Sequence, residues 1–98
     1  MSKASDKVNS QELYRAILSL ESEDECRRFF KDLCTIAELR AMEQRYDVAV
    51  LLDQGLVYSD ILERTAASSA TISRVNKALN YGEEGYKDVL RHMREQDS

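Results

Sequence analysis

The sequence predicts a small, wholly helical protein, because three of its features agree. The chain of 98 residues contains no proline and only three glycines, the two residue types that interrupt helices most strongly. Its apolar residues recur at the spacing i, i+3, i+4 and i+7, which places them on one face of a helix. At three points a Ser, Thr or Asn precedes a Glu by three residues, a spacing typical of helix starts. A chain of this length is expected to form a single domain with one hydrophobic core.

The first three helices each follow one of these capping boxes. The boxes are Asn9 with Glu12, Ser22 with Glu25, and Thr35 with Glu38. The apolar stripes behind the first two boxes consist of Leu13, Ala16, Ile17 and Leu20, and then of Cys26, Phe29, Phe30 and Leu33. The third helix is the longest, and it is predicted to end with Gly55 in the C′ position, where glycine adopts a left-handed conformation at little cost.

Residues 58–80 have the layout of a helix-turn-helix. A helix over about Tyr58–Arg64 is followed by a turn of small residues, Thr65-Ala66-Ala67, and by a second helix that Ser68 is placed to cap. The positions that the motif buries, counted from Tyr58, are occupied by Ile61, Thr65, Ala67, Ile72 and Val75. The layout predicts a DNA-binding unit, with an ordinary helical hairpin as the alternative.

A last helix is predicted over about residues 83–93, and it completes a single all-helical domain over residues 9–94. Residues 1–8 and 95–98 are expected to be flexible ends. No apolar run approaches the roughly 20 residues that a membrane-spanning helix needs, and the N-terminus lacks the apolar core of a secretory signal. A soluble, cytoplasmic protein without a membrane partner is expected.

Cysteine and histidine are too few for a metal site or a catalytic centre. Cys26 and Cys34 are the only cysteines, whereas a structural zinc site needs about four Cys or His ligands. Both thiols fall on apolar stripes, where packed side chains are the expected role. His92 is the only histidine, and the common phosphate-binding and nucleophile motifs are missing. The sequence predicts a protein that is not an enzyme and that holds no metal.

Charge is unevenly distributed along the chain. The net charge is −4, yet the stretch from Arg64 to Gly82 contains two arginines, one lysine and no acid. The second helix of the helix-turn-helix lies in this stretch and begins with short side chains suited to a DNA groove, those of Ser68, Ser69, Ala70, Thr71 and Ser73. Hydroxyls can bond phosphates or base edges, and methyl groups can contact thymine. Arg74 and Lys77 are placed to reach phosphates, while an ordinary solvated helix face is the alternative.

The second half of the third helix predicts a homodimer. The residues from Val48 to Leu52 are apolar on every side of the helix, and such a helix must be buried all round. A chain of 98 residues offers few internal partners for such a segment. A subunit interface is therefore the economical way to bury it.

Several residues spread along the chain form a pattern that is known from one family, namely Thr35, Glu38, Arg40, Arg45, Gly55 and the run from Ala70 to Arg74. Through these residues the sequence resembles the Trp repressor family over roughly residues 13–90. The longer run from Arg74 to Gly82, followed by Gly85-Tyr86, is similar to the YerC/YecD branch of that family. The resemblance implies a six-helix protomer in an intertwined dimer, with two reading helices in successive major grooves about 34–36 Å apart. It implies DNA contacts from Ser69, Ala70, Thr71 and Ser73.

The resemblance also implies a candidate site for a small corepressor. The family's threonine and two arginines, which hold tryptophan, match Thr35, Arg45 and Arg74. Judged from the residues alone, Thr35 caps its helix and the arginines make ion pairs or phosphate contacts. Val75 replaces a glycine of the family pattern and Ala78 replaces a serine, and both changes count against tryptophan. No cofactor is therefore expected, although a different small corepressor stays open.

Together these features predict a homodimeric, sequence-specific DNA-binding transcriptional regulator that acts as a repressor. Its partners would be double-stranded DNA and a second copy of the chain. Two alternatives remain at this point: a helical protein-interaction module, and a small-ligand sensor of the same fold that does not bind DNA specifically.

Overall fold

A computed structural model describes residues 10–97, and these residues form helices and connecting turns without any strand. The six helices are α1 (Ser10–Leu18), α2 (Glu23–Leu33), α3 (Ile36–Asp53), α4 (Tyr58–Thr65), α5 (Ser69–Tyr81) and α6 (Gly85–Asp97). The all-α prediction is confirmed. The chain divides into two compact units with the boundary after Ile36, referred to below as the N-terminal and the C-terminal unit.

The N-terminal unit contains α1 and α2. Asn9 of the first predicted capping box lies outside the described residues. The second box is confirmed, because Ser22 Oγ accepts a hydrogen bond of 3.0 Å from the backbone N–H of Glu25. The carboxylate of Glu25 in turn accepts from the backbone N–H of Glu21, one residue before the cap, at 3.0 Å. These two hydrogen bonds stabilise the start of α2.

The apolar stripes of the N-terminal unit are only partly covered by its own chain. Phe29 and Phe30 meet edge to face with ring centroids 5.5 Å apart, yet every residue of α2 keeps some solvent exposure. Leu18 is 85% exposed and Ile36 is 73% exposed. Burial of apolar area is the main stabilising contribution to a fold. The N-terminal unit buries little apolar area within the protomer, so it gains little stability in this way.

The C-terminal unit contains a continuous core built from three helices and one turn. The fully buried residues that form it are Val48 and Ala49 of α3, Ile61 of α4, Ala67 of the turn, and Ile72 and Val75 of α5. Leu51, Leu52, Leu56 and Tyr86 pack against this cluster and are half-buried. The positions predicted to be buried in the helix-turn-helix are confirmed, with Thr65 half-buried and the other four fully buried.

The apolar half of α3 is covered within the protomer to a larger extent than its sequence suggests. Val48 and Ala49 are completely buried because residues of α4 and α5 pack on them. Val50, Leu51 and Leu52 are half-buried. A subunit interface is therefore not the only means of burying this segment, and its half-exposed side is what remains for a partner.

Gly55 ends α3 in the predicted manner. Its φ of +89° lies in the left-handed region. The N–H of Gly55 donates to the Leu52 carbonyl at 3.0 Å, and the N–H of Leu56 donates to the Leu51 carbonyl at 3.1 Å. These two bonds are those of a Schellman motif, which satisfies carbonyls that the helix leaves unpaired.

The last helix differs from the prediction at both ends. It begins at Gly85, two residues later than expected, because Glu84 takes a left-handed φ of +71° that a helix cannot contain. It continues to Asp97, so residues 95–97 of the predicted tail are helical. Arg94 supports this extension, since its Nη1 lies 2.5 Å from Oδ2 of Asp53 at the end of α3. Residues 1–9 and Ser98 lie outside the described part of the chain.

None of the helices within residues 10–97 is both long enough and apolar enough to span a membrane.

Candidate nucleic-acid interface

The turn between α4 and α5 is held by hydrogen bonds of its own residues. Ala66 ends α4 in a left-handed conformation, with φ 59° and ψ 15°, and its N–H donates to the Leu62 carbonyl at 2.9 Å. Thr65 Oγ1 donates to the Ile61 carbonyl at 2.7 Å and accepts from the N–H of Ala67 at 3.1 Å. The predicted turn of small residues is confirmed, and its close approach to the core explains why Ala67 is fully buried.

Ser68 is the N-cap of α5, and its hydroxyl forms two hydrogen bonds with Thr71. Its Oγ accepts from the backbone N–H of Thr71 at 3.1 Å and donates to the hydroxyl of Thr71 at 3.1 Å. The predicted cap is confirmed. The single proton of this hydroxyl is donated to Thr71. The predicted contact of Ser68 with DNA stays a prediction. The hydroxyl of Thr71 accepts in this pair and keeps its own proton available for an acceptor.

The side of α5 that points away from the core carries small and basic residues. Ile72, Val75 and Leu79 face the core and are buried. Successive residues rotate by one part in 3.6 around a helix, so the residues opposite this buried stripe share a second face. That outer face of α5 consists of Ala70, Ser73, Arg74, Lys77 and Tyr81, all exposed. Ser69 is exposed beside it, and Thr71 is half-buried at its edge.

The three cations of the acid-free stretch lie at exposed positions. Within residues 10–97, Arg64, Arg74 and Lys77 form no ion pair and no side-chain hydrogen bond. Four arginines of the described residues pair with carboxylates on their own helices, as Arg28 does with Asp24 at 2.9 Å. The cause is the sequence itself, because no acid occurs between Arg64 and Gly82. These cations are available to an anionic partner.

Tyr81 belongs to the same surface and is missed by the sequence prediction. It is 85% exposed at the C-terminal end of α5. Its spacing of four residues after Lys77 and seven after Arg74 is the signal that could have identified it, since this spacing repeats a helix face. A phenol hydroxyl can donate to a phosphate oxygen. Gly82 follows as the C-cap of the helix. A side chain at this position would collide with the carbonyl oxygen of Ala78, so glycine fits there.

The predicted corepressor residues are divided between the two units. Thr35 belongs to the N-terminal unit, and Arg45 and Arg74 belong to the C-terminal unit. Arg45 is half-buried and Arg74 is exposed. The proposed ligand set of these three residues stays a prediction.

Ala78 and Val75 have different surroundings. Val75 is only 1% exposed and contributes to the core, so its methyl groups support α5 directly. Ala78 lines an apolar groove of about 550 Å³ within the C-terminal unit, together with Tyr46, Tyr86 and Val89. Glu83 also lines this groove.

The remaining titratable candidates show no grouping that binds a metal. Cys26 and Cys34 are free thiols with intermediate exposure, in keeping with packed side chains. Over the described residues, no three side chains of His, Cys, Asp or Glu come together in a way that would hold a metal ion.

Comparison with known proteins gives consistent matches over most of the chain. The family model described as Trp repressor protein matches residues 9–94. Protein YerC of Bacillus subtilis (strain 168), which is described as uncharacterized, is 45% identical over 96 residues, a span that covers 95% of this chain and 92% of YerC.

Two solved structures share the fold. A TrpR-like protein from Eubacterium eligens superposes with a TM-score of 0.82 at 49% identity, over 85% of this chain and 86% of the other. A candidate Trp repressor from Staphylococcus aureus superposes with a TM-score of 0.83 at 44% identity, over 86% of this chain and 84% of the other.

Proposed function

Because the chain belongs to the Trp repressor family, whose members are DNA-binding regulators, we propose that it binds specific DNA sequences and regulates transcription. The observation that carries this proposal is the outer face of α5, with Arg74 and Lys77 unpaired within the described residues. Phosphate contacts by such cations supply most of the nonspecific affinity of DNA-binding proteins. We further propose that the protein acts as a homodimer and as a repressor.

In this proposal α5 enters the major groove, where some residues contact base edges and others contact phosphates. The short side chains of Ser69, Ala70, Thr71 and Ser73 allow the helix to approach the base edges closely. Arg64, Arg74 and Lys77 contact phosphates and fix the register of the helix on the duplex. Tyr81 adds a hydroxyl donor at the far end of the same face. Ser68 caps the start of this helix directly before these residues, and its predicted contact with DNA is part of the proposal.

The homodimer is supported by apolar residues that the protomer leaves exposed. In the N-terminal unit these residues are Leu13, Tyr14, Leu18, Leu33 and Ile36. Apolar side chains that are left in water gain stability when another surface buries them. A dimer would also present two copies of α5, and two half-sites raise both affinity and sequence specificity.

The first experiment tests DNA recognition directly. Fragments of the host genome are incubated with the unmodified protein, and the retained duplexes are titrated against a random-sequence duplex at two salt concentrations. We expect a preferred fragment to bind at least about a thousandfold more tightly than random sequence. Binding to all duplexes should weaken as salt rises, because phosphate contacts release counterions.

The outcome separates the proposal from a protein-interaction module. If no fragment binds more tightly than random sequence, the proposed function is wrong. For a repressor, transcription in vitro from a template that contains the preferred site should fall as protein is added. A rise in transcript would contradict repression while leaving DNA recognition in place.

A further inference from the structure

A hydrogen bond from the long helix reaches the turn of the helix-turn-helix. The side chain of Gln44, on α3, donates from Nε2 to the main-chain carbonyl oxygen of Thr65 at 3.1 Å. Thr65 is the last residue of α4 and lies immediately before Ala66. Both Gln44 and Thr65 are half-buried. The bond joins two elements of the C-terminal unit that are 21 residues apart in sequence.

The Thr65 carbonyl needs a donor from outside α4. Carbonyl groups in the last turn of a helix have no partner within the helix. The hydroxyl of Thr65 is already used, since it donates to the Ile61 carbonyl and accepts from the N–H of Ala67. A half-buried carbonyl left without a donor would destabilise the turn. The amide of Gln44 supplies this donor.

Gln44 and Val48 contact the helix-turn-helix in different ways. They are four residues apart and share one face of α3. Val48 packs in the core with Ile61 and Ile72. Apolar packing is non-directional and by itself allows small rotations, whereas a hydrogen bond restricts both distance and angle. The hydrogen bond from Gln44 therefore restricts the orientation of the turn relative to α3, which the packing of Val48 alone does not fix.

The turn is a place where such a restriction matters. Ala66 adopts φ 59°, a left-handed conformation that side chains other than glycine adopt at a cost. It is the residue at which the chain leaves α4 and turns toward α5. A change in its backbone angles would redirect α5 relative to α3.

We propose that Gln44 is a positioning residue for DNA recognition, which fixes the presentation of α5 through the Thr65 carbonyl. This inference rests on the proposed function of α5 in reading DNA. Contacts to base edges require side chains to be placed within about 0.5 Å of the productive geometry. Contacts from long cationic side chains to phosphates tolerate larger displacements. Loss of the Gln44 donor should therefore lower specific affinity and leave nonspecific affinity unchanged.

The test compares Gln44→Met with the unmodified protein on the preferred genomic duplex and on a random-sequence duplex. Methionine keeps the length of the side chain and removes the donor. Loss of one hydrogen bond should lower specific affinity about tenfold. Affinity for the random duplex and its salt dependence should stay the same. Titrations are followed by fluorescence anisotropy at a temperature where circular dichroism shows each variant to be fully folded.

Matched variants separate positioning from simple stabilisation. Gln96→Met makes the same change at an exposed site on α6 and should leave both affinities unchanged. Gln44→Glu has the same length but an acceptor-only carboxylate at neutral pH, and it should lose specific affinity as Gln44→Met does.

The possible results distinguish this inference from the function on which it rests. If the unmodified protein prefers one duplex and both Gln44 variants keep that preference in full, the inference alone is overturned. An equal loss on specific and random duplexes would also overturn it. If the unmodified protein shows no preference, the proposed function fails and the inference fails with it.

Discussion

The two units of the chain bury their apolar residues to very different extents. All the fully buried residues of the described chain belong to the C-terminal unit, and most of them form the cluster around Ile61 and Ile72. The N-terminal unit has stripes of the same kind, but its side chains remain half-buried or exposed, as Leu18 does at 85%. A stripe that its own chain does not cover needs another surface to bury it.

Helices α2 and α5 also differ in whether their cations are paired with acids. In α2, Arg27 and Arg28 both pair with Asp24 on their own helix, and exposed pairs of this kind contribute little stability. On α5, Arg74 and Lys77 have no such pairing within the described residues. The comparison indicates two different partners: an apolar one for the N-terminal unit and an anionic one for α5.

The largest effect is expected from a charge placed against the core. Leu51 is half-buried and packs against the central cluster. Leu51→Lys should lower the free energy of unfolding by several kcal/mol, because an ammonium group among apolar residues has no partner. Folding and association should be lost together, as expected of an obligate dimer. Urea unfolding and size-exclusion chromatography at micromolar concentration measure the two.

A matched control for that change is Val57→Lys, which places the same charge at an exposed apolar residue. It should leave unfolding within about 0.5 kcal/mol of the unmodified protein. A folded and monomeric Leu51→Lys protein would contradict the argument that this half-exposed side of α3 lies in a subunit interface.

The next effect concerns sequence preference at the start of α5. Thr71→Ala should weaken binding at one base position by about 1–3 kcal/mol and change which duplexes are preferred. Thr71→Ser keeps the hydroxyl and removes the methyl group, so it shows which of the two groups reads the base. Selection on a randomised duplex library measures the preference. An unchanged preference in Thr71→Ala would indicate that α5 is docked in a different orientation.

A smaller and uniform effect is expected from the phosphate contacts. Lys77→Ala should weaken binding to all duplexes alike, by about 1 kcal/mol, and reduce the slope of log affinity against log salt by about one. Lys87→Ala removes an exposed lysine from α6 and serves as the control. Loss of preference in Lys77→Ala, without a change in salt slope, would reverse the roles assigned to the two kinds of residue.

No effect at all is expected from free tryptophan. Titration calorimetry should show no saturable binding at micromolar concentration, because Val75 replaces a glycine of the family pattern and packs in the core. Val75→Gly restores the family residue but also removes a core side chain, so its folding must be checked first. Ala78→Ser, at an exposed site, restores a hydroxyl with less risk to the fold. Saturable binding to the unmodified protein would show the expectation to be wrong.

Much of the fold is readable from the sequence where the relevant interactions are local. The caps at Ser22 and Ser68 and the glycine end at Gly55 involve residues within five positions of each other, so spacing alone predicts them. The buried positions of α4 and α5 follow from helical periodicity. The helix-turn-helix layout identified α5 as the candidate reading helix, and the family resemblance implies the same helix.

The errors occur where distant residues decide the outcome. The extension of α6 to Asp97 is supported by the ion pair between Arg94 and Asp53, which are 41 residues apart. A contact over such a separation leaves no pattern within a short window of sequence.

What the sequence by itself determined is the set of helices, the turn at Ala66 and the acid-free stretch from Arg64 to Gly82. These depend on backbone propensity, capping and composition, which act over a few residues. The tertiary structure decided that Val48 and Ala49 are buried within the protomer and that Gln44 reaches the Thr65 carbonyl. These depend on how helices pack, because a side chain that can bury apolar area or donate a hydrogen bond has many possible partners until the fold places one of them beside it.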